Sequence, residues 1–249
     1  GRSNLWDVVD TGEQTSFPEC PWAIDLRGKP FPDDEKKALG QWFWESGFDH
    51  DPIEKGEHIR DTNFRAMYGA WDALKNAQGK YPNHRLNWAA HISGKRESRR
   101  LLGDVILERD DFTEGKEYED VCVPTSWTID LHYPNETYEK AFEEEAFISR
   151  ADFGKYERPY WVPYRCLYSR NTENLFMAGR NISVTHEALG AVRVMKTTGM
   201  MGEVVGIAAH LCKKHESNPR GIHEHHLSAL QELMKQGVGR KTRSRNGNQ

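Results

Sequence analysis

The sequence predicts a mixed α/β fold, and three observations lead to this prediction. Apolar residues recur at three- and four-residue steps over Ile53–Ala77 and Leu189–Lys213, which is the period of an amphipathic helix. Short runs rich in β-branched and aromatic residues, such as Leu86–Ile92 and Val121–His132, are typical of strands. The chain has 249 residues, enough to bury such elements around a core without disulfide or metal staples.

The charge balance and hydropathy exclude two classes of protein. The 34 basic and 38 acidic residues give a net charge of −4, which is not that of a protein that holds nucleic acid by bulk positive charge. No stretch of about 18 uncharged apolar residues occurs, so the sequence predicts no membrane span. Aromatic residues make up 11% of the chain, which argues against disorder.

Cysteine and histidine spacing predicts no metal site. The four cysteines form no CxxC or CxH pattern, so we expect ordinary, mostly buried thiols rather than a zinc knuckle, an iron–sulfur site or a redox motif. His223, His225 and His226 lie close together, but no acidic or thiol partner has a diagnostic spacing. We interpret these histidines as part of a solvated turn.

The N-terminal part predicts short elements around the first helix. Residues 1–35 are rich in Pro, Gly, Asp and Trp and favour loops and short strands, and Leu39–Trp44 favours a strand. Gly79 and Pro82 end the first helix. Leu101–Leu107 alternates loosely and is interpreted as another strand.

The C-terminal part predicts a strand, a loop and a long helix. The acidic segment Tyr138–Ile148 is compatible with helix or loop. Asn174–Arg180 is typical of a short buried strand that ends at Gly179, and Leu189–Lys213 predicts one long helix. The tail from Gly237 onward is basic and is expected to fray.

Small residues form a stripe along the predicted long helix. Each glycine costs about 1 kcal/mol relative to alanine in a helix, so a stripe of them needs a reason. Tight packing on a sheet and packing beneath a dinucleotide explain the stripe equally well. Its members, spaced three, four and three apart, are Gly199, Gly202, Gly206 and Ala209.

The entry to this helix has the composition of an anion-binding turn. Ser183, Thr185 and His186 lie in the loop after the predicted strand, and small residues open the helix. Unpaired N–H groups at a helix N-terminus suit a phosphate or the electron-rich edge of a reduced flavin. This pattern alone is common in α/β proteins.

Four segments resemble one known family. They resemble the FAD-dependent oxidoreductase family with a glutathione-reductase-like fold, in the branch typified by bacterial proteins, which is distantly similar to the flavin-binding part of heterodisulfide reductase. The resemblance covers roughly residues 40–215. The segments are Pro163–Cys212 (PYRCLYSRNTENLFMAGRNISVTHEALGAVRVMKTTGMMGEVVGIAAHLC), Gly94–Asp111 (GKRESRRLLGDVILERDD), Trp127–His132 (WTIDLH) and Ile59–Asn76 (IRDTNFRAMYGAWDALKN).

The resemblance implies three regions along the chain. Residues 1–165 would form most of an α+β substrate domain. Residues 166–235 would form the C-terminal strand–helix part of an FAD-binding Rossmann-like domain. Residues 236–249 would be a flexible basic tail.

The resemblance also implies site residues on the strand–loop–helix segment. Many relatives place an acidic ribityl-binding residue after the glycine that ends the strand. Arg180 stands there instead and would address the pyrophosphate or a carbonyl. The catalytic candidates beside the flavin are His186 and Arg193. The alternatives are a structural hydrogen bond for His186 and a salt bridge for Arg193. The cofactor-binding candidates are Gly179, Arg180, Thr185, Ala188, Leu189, Gly190 and Ala191.

Four further residues are candidates for contact with the substrate. Arg96 and Arg99 would contact a substrate anion, although strand arginines more often pair with carboxylates such as Glu97. Asp130 and His132 are two positions apart on a predicted strand and so face the same side, as an acid–base pair requires.

The family also requires an N-terminal GxGxxG unit for the ADP half of FAD, and the sequence contains none. Because the chain also begins at Gly1, we expect a C-terminal fragment, inactive alone, whose partner is the missing N-terminal FAD-binding segment. The expected chemistry is hydride transfer between a small-molecule substrate and flavin N5. The alternatives are a non-enzymatic interaction domain and a flavin-free enzyme that uses Asp130 and His132. The sequence assigns no compartment or oligomeric state.

Overall fold

The computed structural model describes residues 1–33, 44–139 and 145–237. They divide into two compact units that alternate along the chain. The first contains Gly1–Ser98 and His132–Asp152, and the second contains Arg99–Leu131 and Phe153–Gln249. The predicted division at residue 165 concerns substrate and cofactor roles and stays a prediction. The overall class is mixed α/β, as the sequence predicts.

The first unit consists of short antiparallel strands and one long helix. The central strand β1 pairs with β3 on one side and with β5 on the other, and β2 pairs with β4 with a shift in register after Asp7. The helix α1 continues as a π-helical turn over Ala73–Ala77. The elements are β1 (Arg2–Ser3), β2 (Trp6–Asp10), β3 (Glu45–Ser46), α1 (Gly56–Asp72), β4 (His84–Ala89) and β5 (Gly94–Lys95).

The core of the first unit is aromatic. The Trp6 ring meets Trp44 and Trp71 edge-on, with ring centroids 5.4 and 6.1 Å apart. Gly69 lets α1 approach the neighbouring backbone, because a Cβ there would lie 2.0 Å from the Ile24 carbonyl oxygen. The helix predicted over Ile53–Ala77 is confirmed by α1 and its π-helical continuation. The strand predicted near Leu86 is confirmed as β4.

The second unit combines antiparallel strand pairs with a C-terminal group of helices. The strand β6 pairs with β9, and β7 pairs with β8; the division between the two units falls within β7 and β8. The helix α5 packs on β6 and on α6. The short helix α3 (Glu136–Glu139) belongs to the first unit. The other remaining elements are α2 (Arg109–Thr113), β6 (Val121–Thr125), β7 (Ile129–Pro134), β8 (Ser149–Gly154), β9 (Tyr160–Pro163), α4 (His186–Val192), α5 (Met195–His215) and α6 (Pro219–Gln236).

Two predicted strands are absent as regular strands in the described part of the chain. Leu101–Leu107 forms only one isolated bridge, between Leu107 and Val184, and Asn174–Arg180 forms only the bridge from Phe176 to Tyr168. Both segments bond to other loops instead of to a sheet, since the Leu101 N–H donates to the Asn181 carbonyl at 3.0 Å. Of the apolar side chains in these segments only Leu107 and Met177 are buried, so the pattern overstated burial as well as strand pairing.

Two long predicted elements are each divided. Val121–His132 contains two strands, β6 and β7, separated by residues 126–128. Leu189–Lys213 contains α4 and α5, because Val194 adopts an extended conformation with ψ of 150° and begins the second helix. The apolar period continues through this break, so the sequence did not indicate it.

The histidine-rich segment is helical rather than a turn. All three histidines lie in α6, where His226 has non-helical backbone angles that kink the helix. The His226 ring stacks on His215 at 4.0 Å. Burial lowers the pKa of His215, and the neighbouring His226 lowers it further.

Two further predictions can be compared with the described residues, and two others fall largely outside them. The cysteines are free thiols, mostly buried, as predicted. None of the described helices is both long enough and apolar enough to cross a membrane. Most of the predicted strand at Leu39–Trp44 and the tail beyond residue 237 lie outside the described residues.

Candidate functional site

The helix α4 is fixed by a close approach to strand β7. A Cβ on Gly190 would lie 2.8 Å from both the backbone nitrogen and the carbonyl oxygen of Asp130. The Thr185 N–H donates to the Leu107 carbonyl at 2.9 Å, and the Thr185 carbonyl accepts from the Leu189 N–H at 3.0 Å. Ala188, Leu189 and Ala191 are buried. Ala188, Leu189 and Ala191 therefore present almost no surface to a ligand, whereas Thr185 is half-buried.

An ion pair holds the residue that follows α4. Arg193 Nη2 donates to Asp130 Oδ2 at 2.9 Å and to the Asp130 carbonyl at 3.1 Å. The two side chains are 17% and 14% exposed. Two of the predicted site residues thus meet each other. The arrangement is the salt bridge that the sequence offered as the alternative to a flavin contact by Arg193.

A buried hydroxyl pair links α4, α5 and β6. Thr125 Oγ1 donates to the Ala191 carbonyl at 2.6 Å, and Thr197 Oγ1 donates to Thr125 Oγ1 at 3.3 Å. The hydroxyls therefore bond the C-terminal part of α4 and the first turn of α5 to one strand. This network fixes the break between the two helices.

The small-residue stripe is open. A Cβ on Gly199, Gly202 or Gly206 would meet no heavy atom within 4 Å among the described residues. Tight packing of α5 on a sheet through this stripe is therefore wrong for the described part of the chain, since α5 faces β6 with other residues. Met195, at the start of α5, is 90% exposed. A flat ring or another backbone has room to lie against this face.

The loop after the predicted strand lies against α5. Gly179 has a φ of +107°, a region that favours glycine, and its N–H donates to Met201 Sδ at 3.4 Å. Arg180 and His186 are exposed. The structure thus brings Gly179 close to the first turns of the glycine-bearing helix.

A second polar cluster lies in the first unit. The carboxylate of Glu45, 3% exposed, bonds to Arg96 and accepts from His132 Nδ1 at 2.8 Å. Arg96 Nη1 lies 3.0 Å from His132 Nε2. Arg96 Nη2 also lies 2.7 Å from His132 Nδ1, so each of the three side chains contacts the other two. Burial raises the pKa of Glu45, but the hydrogen bond from His132 and the charge of Arg96 outweigh it and hold the pKa at about 2.

The substrate candidates are distributed between these clusters. Arg96 and His132 share Glu45, whereas Asp130 pairs with Arg193, so each half of the suggested Asp130–His132 acid–base pair has its own partner. Arg99 is exposed. The sequence did not single out Glu45, because its only signal is a carboxylate at the end of an aromatic run.

An apolar groove of about 450 Å³ lies beside α5 and α6 in the second unit. Trp161 contributes to it and is 45% exposed. The other apolar contributors are Val121, Pro124, Met200, Ile207 and Met234.

Comparison with known proteins gives one match. The family model described as FAD dependent oxidoreductase matches residues 31–234. No curated protein and no solved structure matches the chain. The matched range is most of the sequence and contains both polar clusters and the open face of α5. The chain therefore belongs to the FAD-dependent oxidoreductase family, whose general chemistry is oxidation and reduction with FAD.

Proposed function

We propose that this chain is the C-terminal part of an oxidoreductase that transfers a hydride between an organic substrate and N5 of FAD. The observation that carries the proposal is the family match over residues 31–234. The open, side-chain-poor face of α5 at Gly199, Gly202 and Gly206 supports it, because a planar cofactor needs close access to backbone.

The residues present fit a flavin dinucleotide at this surface. Gly199 and Gly202 leave space in which a ring can contact the helix without meeting side chains. Gly179 would let the loop backbone approach the cofactor, and the exposed Arg180 would neutralise its pyrophosphate. When bound, FAD supplies a two-electron acceptor for hydride from a substrate carbon.

The roles of the remaining residues follow from their positions. His186, exposed in the first turn of α4, would donate a hydrogen bond or a proton to the bound ligand. The negative charge of the bound cofactor needs electrostatic stabilisation. Because α4 has only seven residues, we assign more of this stabilisation to Arg180 and His186 than to the helix dipole. Gly190 would hold α4 against β7, and Arg193 would present a fixed positive charge.

Substrate binding is assigned to the candidates with polar or charged side chains. Arg96, oriented by Glu45 and His132, would bind an anionic substrate group in the first unit. In the second unit, the exposed Arg99 would attract a substrate anion. Asp130 would affect the substrate indirectly, by holding Arg193 in place. The ADP half of FAD would be bound by an N-terminal GxGxxG segment of the same protein, and this chain alone would be inactive.

The test compares two leucine substitutions in the protein that contains the N-terminal segment. Gly202→Leu fills the open face and should weaken FAD binding by more than about tenfold. Ser228→Leu adds the same side chain to an exposed position of α6 and should leave FAD affinity unchanged. Equal FAD affinity in both variants and the parent, measured by fluorescence titration, would refute the placement.

The second candidate function is a non-enzymatic interaction domain. The apolar groove beside Trp161 and the exposed Met195 favour it, since both are suited to a protein partner. In that case the chain should fold stably and remain colourless with excess FAD. An FAD-dependent absorption change in the folded chain would exclude this alternative.

A further inference from the structure

Three potential metal ligands from distant parts of the sequence meet in the first unit. His50 lies in the turn after β3, His58 is the third residue of α1, and Glu145 precedes β8. Nε2 of His50 lies 3.7 Å from Glu145 Oε1, and Nε2 of His58 lies 4.0 Å from Glu145 Oε2. One ligand atom from each residue lies within 4.8 Å of the other two.

The local backbone builds this convergence. Gly47 has a φ of +72°, and a Cβ there would lie 2.4 Å from Ile59, so the turn closes directly onto α1. The His50 N–H donates to the Gly47 carbonyl at 3.3 Å, which brings the His50 side chain back toward the start of the helix. Glycine at 47 is therefore what places one histidine beside the other.

Glu145 is delivered by a separate pairing. The Glu45 N–H donates to the Phe147 carbonyl at 3.1 Å, and Trp44 forms a bridge with Ile148. The Trp44 and Phe147 rings stack at 6.2 Å. The segment that begins at Glu145 is thus anchored beside the strand that leads into the His50 turn.

One oxygen of this cluster is unsatisfied. Glu145 Oε1 is buried and has no hydrogen-bond partner among the described residues. The nearest histidine nitrogen, at 3.7 Å, is too far for a hydrogen bond. A buried carboxylate oxygen without a partner is costly, and a bound cation would remove that cost.

We propose that His50, His58 and Glu145 form a binding site for a divalent transition-metal ion, with Zn²⁺ the best match. Two imidazoles and one carboxylate suit Zn²⁺, whereas Ca²⁺ and Mg²⁺ prefer ligand sets made of oxygen. Ligand atoms of a tetrahedral Zn²⁺ are about 3.4 Å apart, so small side-chain rotations close the site. Three protein ligands leave one position for water.

The site is independent of the proposed flavin chemistry. Its histidine side chains are 37% and 54% exposed, which gives the ion a direct path from solvent. A bound ion would join the turn, the helix α1 and the segment before β8, and would stabilise the folded first unit by mass action. The sequence showed no such site, since Glu145 lies 87 residues after His58.

The test is a Zn²⁺ titration of the chain after removal of metal with a chelator. We use competition with a chromophoric chelator, with Zn²⁺ alone as the probe. His58→Gln and Glu145→Gln should each raise the Kd of the tightest site by more than about tenfold. His91→Gln, an exposed histidine of the same unit outside the cluster, is the matched control and should leave the Kd unchanged.

Two further measurements separate the site from misfolding and from other histidines. The metal-free variants should unfold at the same temperature as the parent, and only the parent and His91→Gln should gain thermal stability with Zn²⁺. His226→Gln removes the ring stacked on His215 and should also retain the tight site. The proposal would be overturned if the parent showed no saturable Zn²⁺ binding. It would also be overturned if His58→Gln and Glu145→Gln bound Zn²⁺ with the same affinity as the parent.

Discussion

Glu45 is an ionised carboxylate kept in the interior by two basic partners. Its folded pKa of about 2 lies below the ordinary value of 4.5. A lowered pKa means that the stabilisation is fully present above about pH 4.5 and is lost as pH falls through the folded pKa. The cluster of Glu45, Arg96 and His132 should therefore stabilise the folded protein at neutral pH and lose this contribution in acid.

We expect this contribution to be on the order of 3 kcal/mol, as the pKa difference implies. Urea unfolding of the parent and Glu45→Gln from pH 6 to pH 3 measures it. The gap in free energy of unfolding should be largest near pH 6 and should narrow as the pH falls. Parallel curves for the two proteins would mean that Glu45 is not the titrating group.

The pair Asp120–Arg165 gives a second prediction at this scale. Asp120 is fully buried and accepts from the Arg165 backbone N–H at 2.8 Å, from its Nε at 3.0 Å and from its Nη2 at 2.9 Å. Asp120→Ala leaves a charged partner without its carboxylate and should cost about 3 to 5 kcal/mol.

The control for that substitution is Glu232→Ala, whose ion pair with Lys235 is 61% and 76% exposed. It should change the free energy of unfolding by less than about 0.5 kcal/mol, because such pairs are screened by solvent. Similar losses in the two variants, measured by urea unfolding, would contradict the role assigned to burial.

At the scale of elements, the junction between α4 and α5 depends on distant residues. The period of apolar residues predicted one helix, because Arg193 and Val194 do not interrupt it. The break is fixed by contacts with Asp130 on β7 and Thr125 on β6. A local pattern therefore predicted the helical content here but not the division.

Two glycines of these helices lie in opposite surroundings, one crowded and one open. Their alanine substitutions therefore form a matched pair. Gly190→Ala places a Cβ 2.8 Å from the Asp130 backbone and should destabilise by about 1 to 3 kcal/mol. Gly202→Ala adds a methyl group in open space and should stabilise the chain by up to about 1 kcal/mol. Urea unfolding measures both, and loss of stability in Gly202→Ala would show that its face is already packed.

At the scale of the whole molecule, the family was predictable and the division into units was not. Long motifs such as Pro163–Cys212 carry the resemblance, and the family match confirms it. The segment His132–Asp152 belongs to the first unit through contacts such as Trp44 with Ile148, which are about 100 residues apart. No local pattern reports a pairing of that range.

Individual residues of the candidate site could be predicted from the sequence, but their contacts with one another could not. The sequence identified Arg193 and Asp130 separately, but their ion pair required the approach of α4 to β7. It identified the glycine stripe and left two explanations open. The open space beside Gly199, Gly202 and Gly206 removes the explanation based on sheet packing in the described residues.

The most direct measurement is the flavin content of the protein expressed from the complete reading frame that encodes this chain. We expect an in-frame upstream strand–GxGxxG–helix unit and a yellow protein that carries stoichiometric FAD. We also expect this FAD to be reduced by the organic substrate. A folded protein that is colourless, and remains so after incubation with excess FAD, would contradict the proposed function.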